Sequence, residues 1–397
     1  MRGPGFLATV PALGTALGMA LLLVAPVLLV ASASPAQAHA APVRCAPRKG
    51  SMQVAEPWAQ RRLDPKRVWP LTTGEGVTVA IIDSGVDLTH PQIHVAKAVD
   101  YTGTGHRDCV GHGTAGAGII AARYLKGVPF HGVAPGVRLI SLKQTNEENG
   151  DVDTLARAIV DAADYGADVI NVSIQAQDTP KLREAVAYAL GKDAVIVAAA
   201  GNTTADDGTP EAAYPAAYPG VLAVGSAAPD GRRADFSNTA TPVAVLGPGQ
   251  DITSTWPGRS YRNGLEGTSF AAPYVAGVAA LVRARHPELN QERVRWRIVA
   301  TADGGVGTGT GAGMVNPLLA VTAILPLEAA DAPVIAPPAP APLSPDAVSR
   351  AAPVDRKAID LALTIAAAAL CGVGLIVAVR MFVPMGRRRG WRPGREG

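Results

Sequence analysis

The sequence predicts an α/β fold: a mostly parallel sheet with helices on both faces, followed by a single transmembrane helix near the C-terminus. Two observations predict the sheet. Short runs of β-branched and small apolar residues recur along the chain, and helical patterns separate these runs. A third observation predicts the membrane helix, because residues 361–379 carry no charge and a stretch of that length spans a bilayer.

The elements of the predicted sheet follow one another between residues 77 and 225. Each strand is read from a continuous apolar run, as expected for a parallel strand that is buried on both faces. The predicted strands cover residues 77–82, 137–142, 168–174, 194–200 and 221–225. The predicted helices between them begin at His112 and cover residues 153–165 and 181–190.

The most informative stretch is Gly267-Thr268-Ser269, which joins a glycine to a helical pattern. The run that follows, residues 274–282, is apolar and rich in small residues, as a helix buried on nearly all sides would be. Pro273 is predicted to fall in its first turn. A serine at such a helix start is held rigidly beside free backbone N–H groups, the environment that acyl transfer needs. Serine and threonine are also ordinary N-caps, so a simple cap remains an alternative.

A serine nucleophile needs a base, and the base needs an orienting group. Asp83 follows the first strand run, and sites on α/β sheets gather at the carboxyl ends of strands. His112 stands between two glycines, which let backbone or substrate come close to the imidazole. Taken singly, Asp83 can equally be a turn former and His112 a helix cap.

The order of Asp83, His112 and Ser269, with all three local sequences intact, resembles the subtilisin-like serine proteases. The resemblance covers residues 70 to 325 and implies a catalytic triad of these three residues in a peptidase domain, predicted here at residues 70–328. It implies no cofactor and no metal.

The resemblance extends to two further positions. Asn202 follows the strand run 194–200, and the resemblance implies that its amide is the oxyanion donor. The alternative is that Gly-Asn forms an ordinary turn with no catalytic role. Ser173 and Ile174 lie where subtilisins carry a substrate-binding strand. The glycines that follow in subtilisins are missing here, which predicts narrower substrate pairing along this edge.

Other polar residues are predicted to be structural. His90 lacks flanking glycines and precedes a proline. The remaining histidines show no paired metal-ligand spacing. The acidic loop at residues 144–153 lacks the glycine and alternating oxygen pattern of a calcium loop, which favours a solvated acidic loop.

The N-terminal part has the pattern of a secretory signal. Arg2 precedes an apolar stretch, residues 6–30, which finishes in Ala-x-Ala sequences. We predict a signal peptide at residues 1–38, with cleavage after Ala38 and Ala33 as the other site. An uncleaved anchor is the alternative, because the apolar stretch is longer than most signal cores. Residues 39–69 form a predicted N-terminal extension.

The C-terminal part is predicted to anchor the chain. Residues 329–357 are rich in proline and predict a semi-rigid spacer before a transmembrane helix at 358–383. Arginines dominate the tail, residues 384–397, so the positive-inside rule puts the tail in the cytoplasm and the body outside. The formal net charge is +3, and residues 380–397, with six arginines and one glutamate, contribute +5 of it. Residues 1–379 therefore carry a net charge of −2, since +3 less +5 is −2. The body therefore has no basic excess that would suit a nucleic-acid partner.

Cysteine use supports export. Cys371 lies inside the predicted span, whereas Cys45 and Cys109 lie in the exported part. One pair in an oxidising compartment predicts a disulfide that fastens the extension to the loop before His112.

Residues 67–76 and 130–136, together with the signal, spacer and anchor, are similar to those of the mycosins, the membrane-anchored subtilisin-like proteases of type VII secretion systems. This resemblance implies an extracytoplasmic endopeptidase with a short extension wrapped on its catalytic domain. It implies that its partners are exported protein substrates, membrane components of the secretion complex and the lipid bilayer. The alternative is mainly a structural subunit with little turnover. The second mycosin disulfide cannot form, since no cysteine lies between residues 110 and 370.

Overall fold

The computed structural model describes residues 45, 47–147, 150–203, 210–326, 356–388 and 390. The chain divides into a body, within residues 1–332, and a C-terminal unit, within residues 333–397. The predicted signal peptide and almost all of the predicted spacer lie outside the described residues, and the domain boundaries given above stay predictions.

A parallel sheet forms the centre of the body. Its strands are β1 Thr78–Asp83, β2 Val95–Asp100, β3 Arg138–Lys143, β4 Val169–Val172, β5 Val195–Ala199, β6 Leu222–Ala227 and β7 Val245–Pro248. They lie in the order β2-β3-β1-β4-β5-β6-β7, and every neighbouring pair is parallel in the part of the chain described. A separate antiparallel hairpin joins β8, Ile252–Trp256, to β9, Ser260–Leu265.

Helices cover both faces of this sheet. They are α1 Trp58–Leu63, α2 His112–Ala121, α3 Val152–Asp164, α4 Pro180–Gly191, α5 Thr268–Arg285, α6 Gln291–Ala300 and α7 Pro317–Thr322. Because successive strand residues point to opposite faces, Val79 and Ile81 of β1 pack with α2 and α5, whereas Ala80 and Ile82 pack with α3 and α4. The predicted α/β fold is thus confirmed.

Helix α5 is the central helix of one layer. It is buried from Phe270 to Arg283, as the small apolar residues of this run predict. A Cβ on Gly277 would lie 2.6 Å from Cβ of Val133, so the close packing of α5 requires a glycine there. The prediction for Pro273 is wrong, because the helix begins at Thr268 and Pro273 therefore lies beyond the first turn.

The sequence patterns missed four of the described strands, which are β2, β7 and the two strands of the β8–β9 hairpin. Strand β2 is an edge strand whose residues are mostly half-buried, so the mixture of Val95, Lys97 and Asp100 does not form an apolar run. Strand β7, at the other edge, is short and contains Gly247 and Pro248. Edge strands tolerate such residues, which makes their pattern weak.

The C-terminal unit contains helix α8, Arg356–Arg388. Within it, Ile359–Gly386 is long enough to cross a membrane and contains an 18-residue stretch with a mean hydropathy of 2.5. It is the single helix of this length and hydropathy among the described residues, and its apolar side chains are exposed. The predicted transmembrane helix is confirmed as a candidate single-pass anchor.

Candidate active site

The site lies at the carboxyl edge of the sheet. Asp83 ends β1, Ser173 follows β4, and Asn202 lies three residues after β5. Strands β1, β4 and β5 are neighbours, so their carboxyl ends meet at one edge. The strands that follow β1 are added first on one side of it, as β2 and β3, and then on the other side, from β4 onward. Ligands of open α/β sheets bind at such a switch point in strand order.

The structure brings the three predicted triad residues together. The Nδ1 atom of His112 lies 2.9 Å from each carboxylate oxygen of Asp83, and its Nε2 atom lies 2.8 Å from Oγ of Ser269. Asp83 is 2% exposed, and its Oδ1 atom also accepts a hydrogen bond from the backbone N–H of Ser84. A serine proton can therefore pass to an imidazole whose other nitrogen faces a buried carboxylate.

The glycines beside His112 admit protein neighbours. A Cβ on Gly113 would overlap the carbonyl oxygen of Gly85, so the first turn of α2 packs directly on the loop after β1. A Cβ on Gly111 would overlap the ring of Trp256, which belongs to the β8–β9 hairpin. These two glycines therefore make room for protein backbone and for an indole ring, not for substrate.

A buried carboxylate that sequence reasoning missed holds the loop before His112. Oδ1 of Asp108 accepts hydrogen bonds from Ser84 Oγ and from the N–H groups of Val110 and Gly111. Its Oδ2 atom accepts from the N–H and the hydroxyl of Thr114. Burial raises the pKa of Asp108, and the hydrogen bonds from Thr114 and Gly111 oppose that rise. Asp108 therefore caps helix α2 at its first turn.

Lys143 supports the same loop from below. Its Nζ donates to the carbonyl oxygens of Gly105 and Arg107, at 2.9 and 2.6 Å, and to Oγ1 of Thr104. Burial lowers the pKa of Lys143, and the nearby carboxylates Asp100 and Asp108 counteract that effect. Lys143 lies in no sequence motif, because its hydrogen bonds form only when the loop at residues 104–107 folds against it.

Asn202 lies beside the serine. Its Oδ1 accepts from the N–H and hydroxyl of Thr268, at 2.9 and 3.1 Å, which fixes the amide plane. A Cβ on Gly267 would lie 2.9 Å from Ser269 Oγ and 3.5 Å from Asn202 Nδ2. Gly267, whose φ is 145°, thus leaves open the space that hydroxyl and amide share. An oxyanion formed on an acyl group held there would meet the amide donor.

Ser173 contacts the serine's own backbone. Its Oγ donates to the carbonyl oxygen of Ser269 at 2.9 Å and accepts from Nδ2 of Asn171. This carbonyl is available because Pro273, four residues on, has no N–H. Ile174 is buried, and the backbone of Ala176 pairs with that of Tyr214 in an isolated antiparallel bridge. The narrower substrate pairing expected along this edge stays a prediction.

The N-terminal extension reaches this site. Cys45 and Cys109 form a disulfide, as predicted. Pro47 and Arg48 consequently line a cleft of about 560 Å³ together with His112 and Ser269. A larger neighbouring pocket, about 1130 Å³, shares Gln175 and Asn202 with this cleft, and its lining contains no residue of the extension among those described.

Two further expectations concern residues outside the site. His90 is buried, lies 3.2 Å from the carbonyl oxygen of Ser260 and does not line the cleft, in line with its structural interpretation. Burial lowers the pKa of His90. In the acidic loop, Asp151 caps α3 and Asp153 pairs with Lys181, and Glu148 lies outside the described residues.

A parallel sheet with this strand order, carrying a serine, a histidine and an aspartate in hydrogen-bond contact at its edge, is the arrangement of a subtilisin-like serine protease. The sequence matches the subtilase family over residues 74–316, so the chain belongs to that family. Within the family it is similar to the mycosins over most of its length. Mycosin-4 of Mycobacterium tuberculosis is 38% identical over 386 residues, 84% of this chain and 82% of that protein. Mycosin-1 of Mycolicibacterium smegmatis is 37% identical over 330 residues, 68% of this chain and 73% of that protein.

A solved structure shows the same fold. The crystal structure of MycP1 from the ESX-1 type VII secretion system superposes with a TM-score of 0.64 at 34% identity. The match covers 74% of this chain and 94% of that one.

Proposed function

We propose that this chain is an extracytoplasmic, membrane-anchored serine endopeptidase of a type VII secretion system. In this proposal Ser269 is the nucleophile, His112 the general base, Asp83 its orienting group and Asn202 the oxyanion donor. The observation that carries it is the unbroken series of hydrogen bonds from Asp83 through His112 to Ser269.

The chemistry follows from this geometry. Oγ of Ser269 attacks the peptide carbonyl while Nε2 of His112 takes its proton, and Asp83 stabilises the imidazolium that forms. The carbonyl oxygen becomes an oxyanion beside Nδ2 of Asn202. When the tetrahedral intermediate collapses, the C–N bond breaks and the leaving amine takes the proton from His112. Water then attacks the acyl-enzyme by the same steps, which releases the acid and restores Ser269.

The substrates and partners are proposed from the relatives. MycP1 is described as part of the ESX-1 type VII secretion system, and the family match supports proteolysis. We therefore assign exported proteins of such a system as substrates and its membrane components as partners. The arginines after α8 favour a cytoplasmic tail, which leaves the catalytic body outside.

Ser269→Ala tests the catalytic assignment. Because the methyl group cannot attack a carbonyl, we expect kcat for peptide hydrolysis to fall about a million-fold, as for the serine of subtilisin. Ser51→Ala, at an exposed serine of the extension, is the matched control and should keep full activity. Activity of Ser269→Ala within tenfold of wild type, with the melting temperature unchanged, contradicts the assignment.

The anchor favours a second role, as a structural subunit of the secretion complex. A freely diffusing protease does not need an apolar helix such as α8, and anchoring raises the effective concentration of the body near the export machinery. A deletion strain can be complemented with wild type, with Ser269→Ala, or with a chain that ends before Asp360. We expect Ser269→Ala to restore export while substrates stay uncut. If Ser269→Ala fails as completely as the deletion at normal protein level, proteolysis itself drives export.

A further inference from the structure

One end of the cleft carries two arginines that come from different parts of the chain. Arg48 belongs to the N-terminal extension, and Arg262 belongs to strand β9. Both line the cleft that holds His112 and Ser269. Neither guanidinium forms an ion pair with an acidic group among the described residues, although Arg262 stacks over the ring of Trp256 at 5.2 Å.

The backbone around these arginines is well fixed. The disulfide from Cys45 to Cys109 fastens the extension three residues before His112. The indole N–H of Trp256 donates to the carbonyl oxygen of Arg48 at 2.6 Å. Ser51 then pairs with Tyr261 in both directions, so the extension adds to the edge of β9. Both arginines therefore start from anchored positions, which lowers the entropy cost of binding an anion between them.

Charge is distributed unevenly along the binding region. Among its described lining residues the cleft has one acidic side chain, Glu266, besides Arg48, Arg262 and His112. The neighbouring pocket beyond Asn202 has a different character, because its described lining includes acidic residues and no lysine or arginine. Those acids are Asp151, Asp178 and Glu211.

We assign the leaving group to the part of the cleft around Trp256, which contacts both arginines. The ring of Trp256 packs against Gly111, immediately before His112. His112 gives its proton to the departing amine, so the substrate residues after the cut bond extend toward this side. The acidic pocket instead adjoins the cleft through Gln175 and Asn202.

We propose that Arg48 and Arg262 form a subsite for an acidic side chain in the first three substrate residues after the cut bond. This inference rests on the proposed protease function and adds a preference in sequence. Guanidinium groups bind carboxylates through paired N–H donors, and an aspartate or glutamate is the substrate group that offers a carboxylate within a chain.

The test uses the full-length protein in detergent and a set of synthetic peptides with acetylated and amidated ends. Mass spectrometry first locates the bond cut in a neutral parent peptide. Glutamate, glutamine or lysine then replaces each of the three residues after that bond in turn. Because the ends are blocked, any preference for a carboxylate comes from a side chain. The readout is the ratio of kcat/KM for glutamate over glutamine at one position.

We expect wild type to prefer glutamate about threefold to tenfold at low salt at one of the three positions, and less at high salt. Arg48→Gln and Arg262→Gln should each lower this ratio, and the double variant should bring it close to one. Arg48→Lys and Arg262→Lys should keep much of it. Glu266→Gln should raise it. Lys49→Gln, which removes an exposed charge outside the cleft lining, is the matched control and should leave it unchanged.

The outcomes separate the two proposals. If Ser269-dependent cleavage occurs but the ratio stays near one at all three positions, or survives in the double variant, the subsite is wrong and the protease function stands. If wild type cuts no peptide faster than Ser269→Ala does, the protease function fails and the subsite fails with it. Should the double variant not fold, the salt series on wild type decides, because a preference insensitive to salt does not arise from these arginines.

Discussion

At the scale of single residues, Asp108 shows how much of a catalytic site is support. The carboxylate accepts five hydrogen bonds, which tie the loop at Ser84 to the first turn of α2. The imidazole of His112 is therefore placed by a residue that does not line the cleft.

Asp108→Asn should reduce both stability and turnover. The new amide N–H₂ would face N–H or O–H donors of Thr114 or Gly111, so one hydrogen bond would be replaced by two opposed donors. We therefore expect the free energy of unfolding to fall by about 3 kcal/mol. Displacement of His112 should lower kcat about tenfold to a hundredfold and leave KM nearly unchanged. Thermal unfolding and peptide kinetics measure the two effects. Asp235→Asn, at an exposed aspartate, is the control, and an unchanged kcat in Asp108→Asn would show that the loop keeps its place without the carboxylate.

The sequence could reveal Asp83, His112 and Ser269 because each stands in a short motif next to a strong strand or helix pattern. Asp108, Lys143 and Arg48 carry no such local sign. Lys143 and Arg48 make their contacts with segments far apart in sequence, such as Arg48 with Trp256. Asp108 contacts mostly nearby residues, but these bonds form only when the loop before α2 has its folded shape. Only the folded chain shows these contacts.

At the scale of elements, helix α5 lacks one of its backbone hydrogen bonds at Ser269, the proposed nucleophile. Pro273 cannot donate to the carbonyl of Ser269, and the hydroxyl of Ser173 takes that place. A residue that was expected only to line the substrate edge thus also fixes the start of α5. The apolar runs predicted the central strands well, whereas the edge strands β2 and β7 stayed hidden because partial exposure breaks up their patterns.

Ser173→Ala should loosen the nucleophile. Loss of the hydrogen bond leaves a partly buried carbonyl without this donor, so we expect a loss of about 1 kcal/mol in stability and a lower kcat. The informative partner is Pro273→Ala, which supplies an N–H to the same carbonyl. If the contact works as described, the double variant should regain part of the kcat that Ser173→Ala loses. A double variant that is worse than the sum of both single variants argues against it.

At the scale of the whole molecule, a catalytic body and an apolar helix stand in one chain. The body has the arrangement of a subtilisin-like protease, and the helix is long and apolar enough to cross a membrane. Under the proposed function, a membrane-bound protease would meet only those substrates that pass it, and the extension would face them because Pro47 and Arg48 line the cleft.

The orientation of the anchor gives the last prediction. The tail, residues 384–397, is rich in arginine, and Arg350, Arg356 and Lys357 lie on the other side of the apolar stretch, so trypsin can cut on whichever side it reaches. If the tail is cytoplasmic, trypsin added to intact protoplasts should release the body and leave an epitope tag placed after Gly397 attached to the membrane. Lysed protoplasts are the control, because there the tag should be lost as well. Loss of the tag from intact protoplasts, with the body still membrane-bound, would reverse the orientation and place the active site in the cytoplasm.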